Sequence, residues 1–256
     1  MANIHSTAIV DAHANLGDDV TVGPYSIIEA DVTIGNGSQI ASHVLISAGT
    51  TLGQNCRVLK GAVLGTDPQD LKFAQEKTTL EIGDNTTIRE YCTLNRGTRH
   101  SKKTVVGSNC LLMAYVHVAH DCRIGSNVIL ANAVNMAGHV TIEDFASVGG
   151  MSPIHQFVII GKHAFIGGGM KVRKDVPPYI LAAGEPLKFA GINRIGLTRR
   201  GFSADALLQL RRAYKLIYRS KLNVSQAVSQ IKETMEITPE IQDILDFIAK
   251  SERGII

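Results

Sequence analysis

The chain has 256 residues, with 19% charged and only 5% aromatic side chains, no Trp and a formal net charge of +3. That length allows one large domain, or one domain with a small appendix, and so few aromatics require a core of small aliphatic side chains. No run of about 18 apolar residues is present to cross a membrane, and the start, "MANIHSTAIVDAHANLGDD", lacks a basic stretch followed by an apolar one, so no signal peptide and a cytoplasmic protein are expected.

From Ile4 onward an aliphatic residue recurs at every sixth position: Ile4, Val10, Leu16, Val22, Ile28, Ile34 and so on to Val172. Of the 29 such positions between 4 and 172, 26 are aliphatic; the exceptions are Asp70, Glu76 and His100. Two places before the aliphatic stands a small residue, as at Ala14, Ser26, Ser38 and Ala62, and glycine often follows it, as at Gly17, Gly35 and Gly125. Glycine in that column suggests a corner with unusual backbone angles. A period of six excludes an α-helix, whose period is 3.6. It predicts a parallel β-helix, with short strands stacked coil on coil about 4.8 Å apart.

Residues 65–81, "GTDPQDLKFAQEKTTLE", and 95–105, "NRGTRHSKKTV", break the repeat and are expected to loop out of the wall, where ligands are usually met. Cys56, Cys92, Cys110 and Cys122 all fall in the small inward column, which predicts buried fillers rather than disulfides or a metal site. Beyond Val172, "KDVPPYILAAGEP" reads as an exit segment. Three helices are expected after it, capped by Ser203, Asn223 and Thr238, the last with Pro239 at its first position. The division is therefore a β-helix over 1–186 and a helical domain over 187–256. Residues 188–221 hold nine basic residues against the single acid Asp205, which suits a phosphate or a polyanionic partner as well as a solvated helix face.

The hexads resemble the hexapeptide-repeat family of left-handed parallel β-helices, in which three hexads make a triangular coil of 18 residues. The left-handed winding is what the resemblance implies, since ordinary parallel crossovers are right-handed. On such a coil His139 lies one coil above Asp121, and Gly138 one coil above His120. His117 and His155 fall in the same region, His155 nearly two coils beyond His120. An imidazole is a natural general base for a hydroxyl nucleophile, an adjacent acid can fix its tautomer, and a glycine amide can meet an oxyanion. A zinc site of three histidines, as in γ-class carbonic anhydrases, is the second reading of the same cluster. A nonenzymatic scaffold is the third, although it needs neither the histidines nor the loops.

"HVAHDCRIG", "LANAVNMAGHV", "VGGMSPIHQF", "PQDLKFAQE", "KDVPPY" and "GINRIGLTRRGFS" are similar to the acyl-carrier-protein–UDP-N-acetylglucosamine O-acyltransferases of lipid A synthesis, over nearly the whole chain. The resemblance implies His120 as general base, Asp121 as its orienting acid and the Gly138 amide as oxyanion donor. It implies Gln69, Asp70 and Lys72 at the sugar and diphosphate, with His117, His139, His155 and Gln156 lining the cleft. Asn193, Arg199 and Arg200 would hold the nucleotide, and Gly168 would let a longer acyl tail run on. The expected partners are UDP-N-acetylglucosamine, an acyl chain carried on the phosphopantetheine of acyl-carrier protein, and two further copies of the chain in a homotrimer; no nucleic acid, metal or other cofactor is expected. Asn95 stands where several members have His, and Ile195 where some have a uridine-contacting acid. These departures leave a 3-amino UDP-sugar open as acceptor. The related N-acyltransferase usually carries an extra N-terminal domain, for which hexads starting at Ile4 leave no room.

Overall fold

A computed structural model describes all of residues 1–256. Each hexad forms a strand of two to four residues, and the strands stack into three parallel sheets, the faces of a triangular prism. The first face begins with Asn3–Ile4, the second with Ile9–Val10 and the third with Asn15–Leu16. Register follows the repeat: Val118 pairs with Met136, and Ile124 with Ile142, 18 residues on. The aliphatic column points inward and is buried from Val22 to Val172 outside the loops. Removing each such Val, Leu or Ile from water contributes about 1.5–3 kcal/mol.

The small column is polar at little cost because its hydroxyls are satisfied. Ser26 donates to the Ala41 carbonyl at 2.7 Å and accepts from the Val44 amide at 3.1 Å. The cysteines copy that bond with sulfur: Cys122 Sγ lies 3.2 Å from the Ala137 carbonyl oxygen, and Cys110 Sγ 3.1 Å from that of Gly125. All four are free and buried. Burial pushes the Cys92 thiol up to about 11 and that of Cys122 to about 12, so neither is a thiolate at neutral pH.

The glycines that follow the aliphatic column have a different reason from the one expected. None of Gly17, Gly35 or Gly125 has positive φ; a side chain there would strike the next coil. A Cβ on Gly35 would lie 2.6 Å from the Gly53 carbonyl carbon, and one on Gly125 2.8 Å from the Asp144 amide nitrogen. The left-handed backbone falls instead three residues before most of the aliphatics, at Asp31, Asn55, Asn85, Asp121, Asn127 and His139 among others. Aromatic residues occupy the same corners despite the cost of that conformation, which is about 1–2 kcal/mol. They stack from coil to coil, as do Tyr91 on Tyr115 (ring centroids 5.4 Å apart) and Phe145 on His163 (4.7 Å).

Both breaks in the repeat leave the wall, over shorter spans than expected: 67–78 between strands Val63–Thr66 and Thr79–Ile82, and 96–102 between Thr93–Asn95 and Lys103–Val106. The wall also continues past Val172. Ile180–Ala183 extends the first face, and Lys188–Ile192 closes it as an antiparallel strand within the segment expected to be helical. Four helices follow rather than three: α1 (Arg194–Arg199), α2 (Ala204–Arg219), α3 (Val224–Thr234) and α4 (Pro239–Lys250). Ser203 caps α2, and Asn223 forms a capping box with Gln226 at α3; Thr238 bonds the Glu240 carboxylate instead of the backbone of α4. Buried Tyr214, Ile231, Ile244 and Leu245 join the prism interior in one continuous core. None of the helices is long and apolar enough to cross a membrane.

Candidate active site

His117–Val118 is a strand of the second face and Arg123–Ile124 one of the third. Between them Ala119, His120 and Asp121 turn the corner, held from inside by buried Val118, Cys122 and Ile124. Asp121 has φ 60°, which turns its carboxylate back under the second loop. There Oδ1 accepts from the Thr98 amide (3.0 Å), the Ser101 amide (3.2 Å) and the Ser101 hydroxyl; Oδ2 accepts from the Thr98 hydroxyl (2.7 Å). Burial alone would raise the carboxyl, but the bonds from Ser101, His120 and Thr98 outweigh it and hold the group well below the usual carboxylate range. His120 Nδ1 lies 2.8 Å from Oδ2. An ionised carboxylate only accepts, so Nδ1 is the donor of this bond, and in the neutral form of the ring Nε2 would carry the lone pair.

One coil on, Gly138 faces that imidazole: a Cβ there would lie 2.6 Å from His120 Cε1 and 2.8 Å from Nε2. The Gly138 amide donates to no group within the chain. His139 follows at φ 62°, its ring edge-on to His120 at 5.2 Å and flat on Phe157 at 4.5 Å. His117 Nδ1 lies 2.7 Å from the Thr93 hydroxyl. Burial lowers the His117 and His139 imidazoles below their ordinary value, so both are neutral at pH 7.

The loops supply the rest of the rim. Asp70 is half-buried, accepts from the Lys72 amide at 3.0 Å, and is close enough for its charge to act on His139; Gln69 and Lys72 are exposed. Asn95 is buried and anchors the first loop, donating to the Asp67 carbonyl at 2.8 Å. Glu76 ties the loops together by accepting from the Arg99 amide at 2.9 Å. His100, which the sequence marked only as a break in the repeat, stands edge-on to His139 at 4.7 Å. Its amide donates to the Thr98 hydroxyl at 3.2 Å. Thr98, Ser101 and Phe157 were likewise not singled out; a bond between a loop and the wall leaves no periodic trace in the sequence.

The remaining expected site residues are spread over the prism. His155 and Gln156 are exposed, two coils along the same corner as His120, where the Phe157 amide bonds the Gly138 carbonyl at 3.3 Å. His155 Nδ1 pairs with the Gln156 carbonyl at 3.1 Å. Gly168 is exposed on the corner between the first and second faces. Asn193 and Arg200 gather at the third corner. Asn193 caps α1 through the Gly196 amide and donates to the His163 carbonyl, and the Arg200 guanidinium sits 5.3 Å from the Phe145 ring centre. Arg199 beside it is exposed.

The donor atoms of His120, Asp121 and His139 lie within 4.8 Å of one another, a spacing that a metal ion could bridge. Both Asp121 oxygens are already engaged by four protein donors besides His120, so an ion there would have to displace them. What the arrangement offers chemically is an imidazole whose Nε2 has no partner within the chain, a fixed carboxylate behind it and an uncommitted amide in front.

Residues 175–256 match the family model described as "Udp N-acetylglucosamine O-acyltransferase; Domain 2", and 13–48 and 103–138 match "Bacterial transferase hexapeptide (six repeats)". The acyl-[acyl-carrier-protein]–UDP-N-acetylglucosamine O-acyltransferase of Thiobacillus denitrificans is 50% identical over 257 residues, covering all of both chains. The chain belongs to the UDP-N-acetylglucosamine O-acyltransferase family. The family enzyme of Paraburkholderia phymatum is 48% identical, again over both whole chains. The solved UDP-N-acetylglucosamine acyltransferase of Bacteroides fragilis superposes with a TM-score of 0.97 at 43% identity, covering 98% of this chain and 99% of the other. The Arabidopsis member superposes at 0.88 with 36% identity, over 98% and 99% of the two chains.

Proposed function

We propose that the protein transfers an (R)-3-hydroxyacyl chain from acyl-carrier protein to the 3-hydroxyl of UDP-N-acetylglucosamine, the first step of lipid A synthesis, with His120 as general base. The observation that carries this reading is the His120–Asp121 pair with Gly138 against its free edge. Nε2 takes the proton of the sugar hydroxyl as its oxygen attacks the thioester carbonyl. The oxyanion that forms meets the Gly138 amide, and the Asp121 carboxylate stabilises the imidazolium. The carbon–sulfur bond then breaks, and the imidazolium returns its proton to the leaving thiolate.

His117, His139 and Asp70 are assigned to the sugar, Gln69 and Lys72 on the exposed loop to the diphosphate, and His155 and Gln156 to the cleft further along. Asn193, Arg199 and Arg200 are assigned to the nucleotide and Gly168 to the acyl tail. These groups stand on three different corners, which supports a homotrimer whose clefts combine corners of neighbouring copies. The carrier is supported by a basic cleft of about 400 Å³ between strand Lys188–Ile192 and α2, lined by Arg194, Arg211, Lys215 and Arg219 and suited to the phosphate of a phosphopantetheine arm.

The test is transfer from acyl-carrier protein to UDP-N-acetylglucosamine with 3-hydroxyacyl donors of graded length. His120→Ala should lower kcat about 10²–10⁴-fold. Undiminished transfer in that variant would remove His120 as base, and no transfer to any UDP-sugar would remove the activity.

A further inference from the structure

We propose that Thr98 and Ser101 are positioning residues of the reaction: the second loop acts as a clamp that fixes the Asp121 carboxylate and, through it, the tautomer and direction of the His120 imidazole. The proposal rests on His120 being the base, and it explains why a loop interrupts the wall at this coil.

The geometry is specific. Asp121 is buried at a corner, and apart from that of His120 every hydrogen bond to its side chain comes from residues 98 and 101, while the titratable His139 faces Oδ2 with its Nε2 3.8 Å away. The Thr98 hydroxyl is oriented, because the His100 amide donates to its oxygen at 3.2 Å and leaves its own proton directed at Asp121 Oδ2. Ser101 Oγ lies 2.8 Å from the Lys103 carbonyl as well, but the carboxylate is closer and charged and so is the stronger acceptor. From the wall side the Asp121 amide donates to the Thr104 hydroxyl at 2.9 Å. The acid is therefore gripped from the loop by its side chain and from the wall by its backbone. Oδ2 receives the Thr98 hydroxyl and His120 Nδ1 together, so the direction of the imidazole depends on where Thr98 holds that oxygen.

Removing the two hydroxyls leaves the carboxylate short of donors. It then holds a proton more tightly, and the His120–Asp121 pair takes up its proton at higher pH. The loss falls on the poise and aim of the base, not on substrate affinity.

The experiment compares full-length wild type, Thr98→Val, Ser101→Ala, their double variant and the conservative Thr98→Ser, with His120→Ala as reference. We expect the double variant to lose about 10–100-fold in kcat, with KM for the UDP-sugar within about twofold. The acid limb of its kcat/KM profile should move to higher pH. Thr98→Ser keeps the hydroxyl and should restore most of the rate and the wild-type limb. An unmoved acid limb with unchanged kcat, or a rise confined to KM, in a background where His120→Ala is inactive overturns the clamp and leaves the base assignment standing. Full activity of His120→Ala overturns the base assignment itself. If the double variant does not fold, each single variant carries the same expectations at smaller amplitude, and a single variant with wild-type kcat and limb overturns its residue's share.

Discussion

A side chain at Gly138 would have to share space with the imidazole it faces, since its Cβ would approach His120 Cε1 to 2.6 Å. Gly138 has no positive φ, so alanine is not excluded by backbone strain; what it must displace is the His120 ring. Gly138→Ala should therefore fold and stack normally while turning the ring off the Asp121 axis. We expect kcat to fall about 100-fold, with the melting temperature within a few degrees of wild type; steady-state kinetics with a thermal melt check both. An unchanged kcat would mean that the ring does not need its present orientation. The His120, Asp121 and Gly138 neighbourhood was legible in the sequence because an 18-residue coil turns a spacing into a contact. Thr98 and Ser101 were not legible, because they reach Asp121 across 23 and 20 residues through a loop that obeys no repeat.

Elements differ in how far local sequence determines them. Each hexad carries its own inward side chains, so the faces could be predicted with no knowledge of distant residues. The glycine column could not be explained that way, because what excludes a side chain at Gly35 is the Gly53 backbone one coil away. Strand Lys188–Ile192 exists only by pairing with Ile180–Ala183, and α1 is six residues held by its Asn193 cap, so neither has a periodic signature. The junction of helices and prism has a titratable group at its centre. The His163 ring lies between Phe145 and Tyr179, edge-on to Phe202, with Nδ1 buried and unpartnered. Burial, then the charges of Arg200 and Lys162, depress it to about 4 against the opposing pull of Asp243 and Asp144. An unfolded chain takes up this proton near pH 6.5. The folded state thus has its full His163 contribution above pH 6.5, and loses it progressively as pH falls toward 4. His163→Phe keeps the stack, since Phe145 and Phe157 already adopt the same left-handed corner. Its melting temperature should fall less than that of wild type between pH 7 and 4.5, by scanning calorimetry; parallel curves would show that His163 does not titrate across unfolding.

At the scale of the whole molecule, the proposed base and the residues proposed for the nucleotide stand on separate corners of one prism. His120 turns from the second face to the third, whereas Arg200 lies over Phe145, on the corner that leads into the first face. A convex prism cannot fold one corner onto another, because its wall is a continuous hydrogen-bonded ladder with a packed interior. If both groups act on one substrate molecule, they must come from different copies of the chain. Two defective variants should then complement each other. On the proposed roles, His120→Ala removes the base and Arg200→Ala the nucleotide contact, so each should be weak alone at substrate concentrations below KM. Mixed by co-refolding in equal amounts, the proposed trimers, if assembled at random, would place an intact His120 opposite an intact Arg200 in about a quarter of their clefts. The mixture should recover roughly that fraction of wild-type activity, while the same proteins mixed without unfolding recover none. Sedimentation of the refolded mixture gives the size of the assembly independently. Recovery near zero in an assembly of trimer mass would place His120 and Arg200 of one copy in the same cleft, and the shared-cleft arrangement would fail.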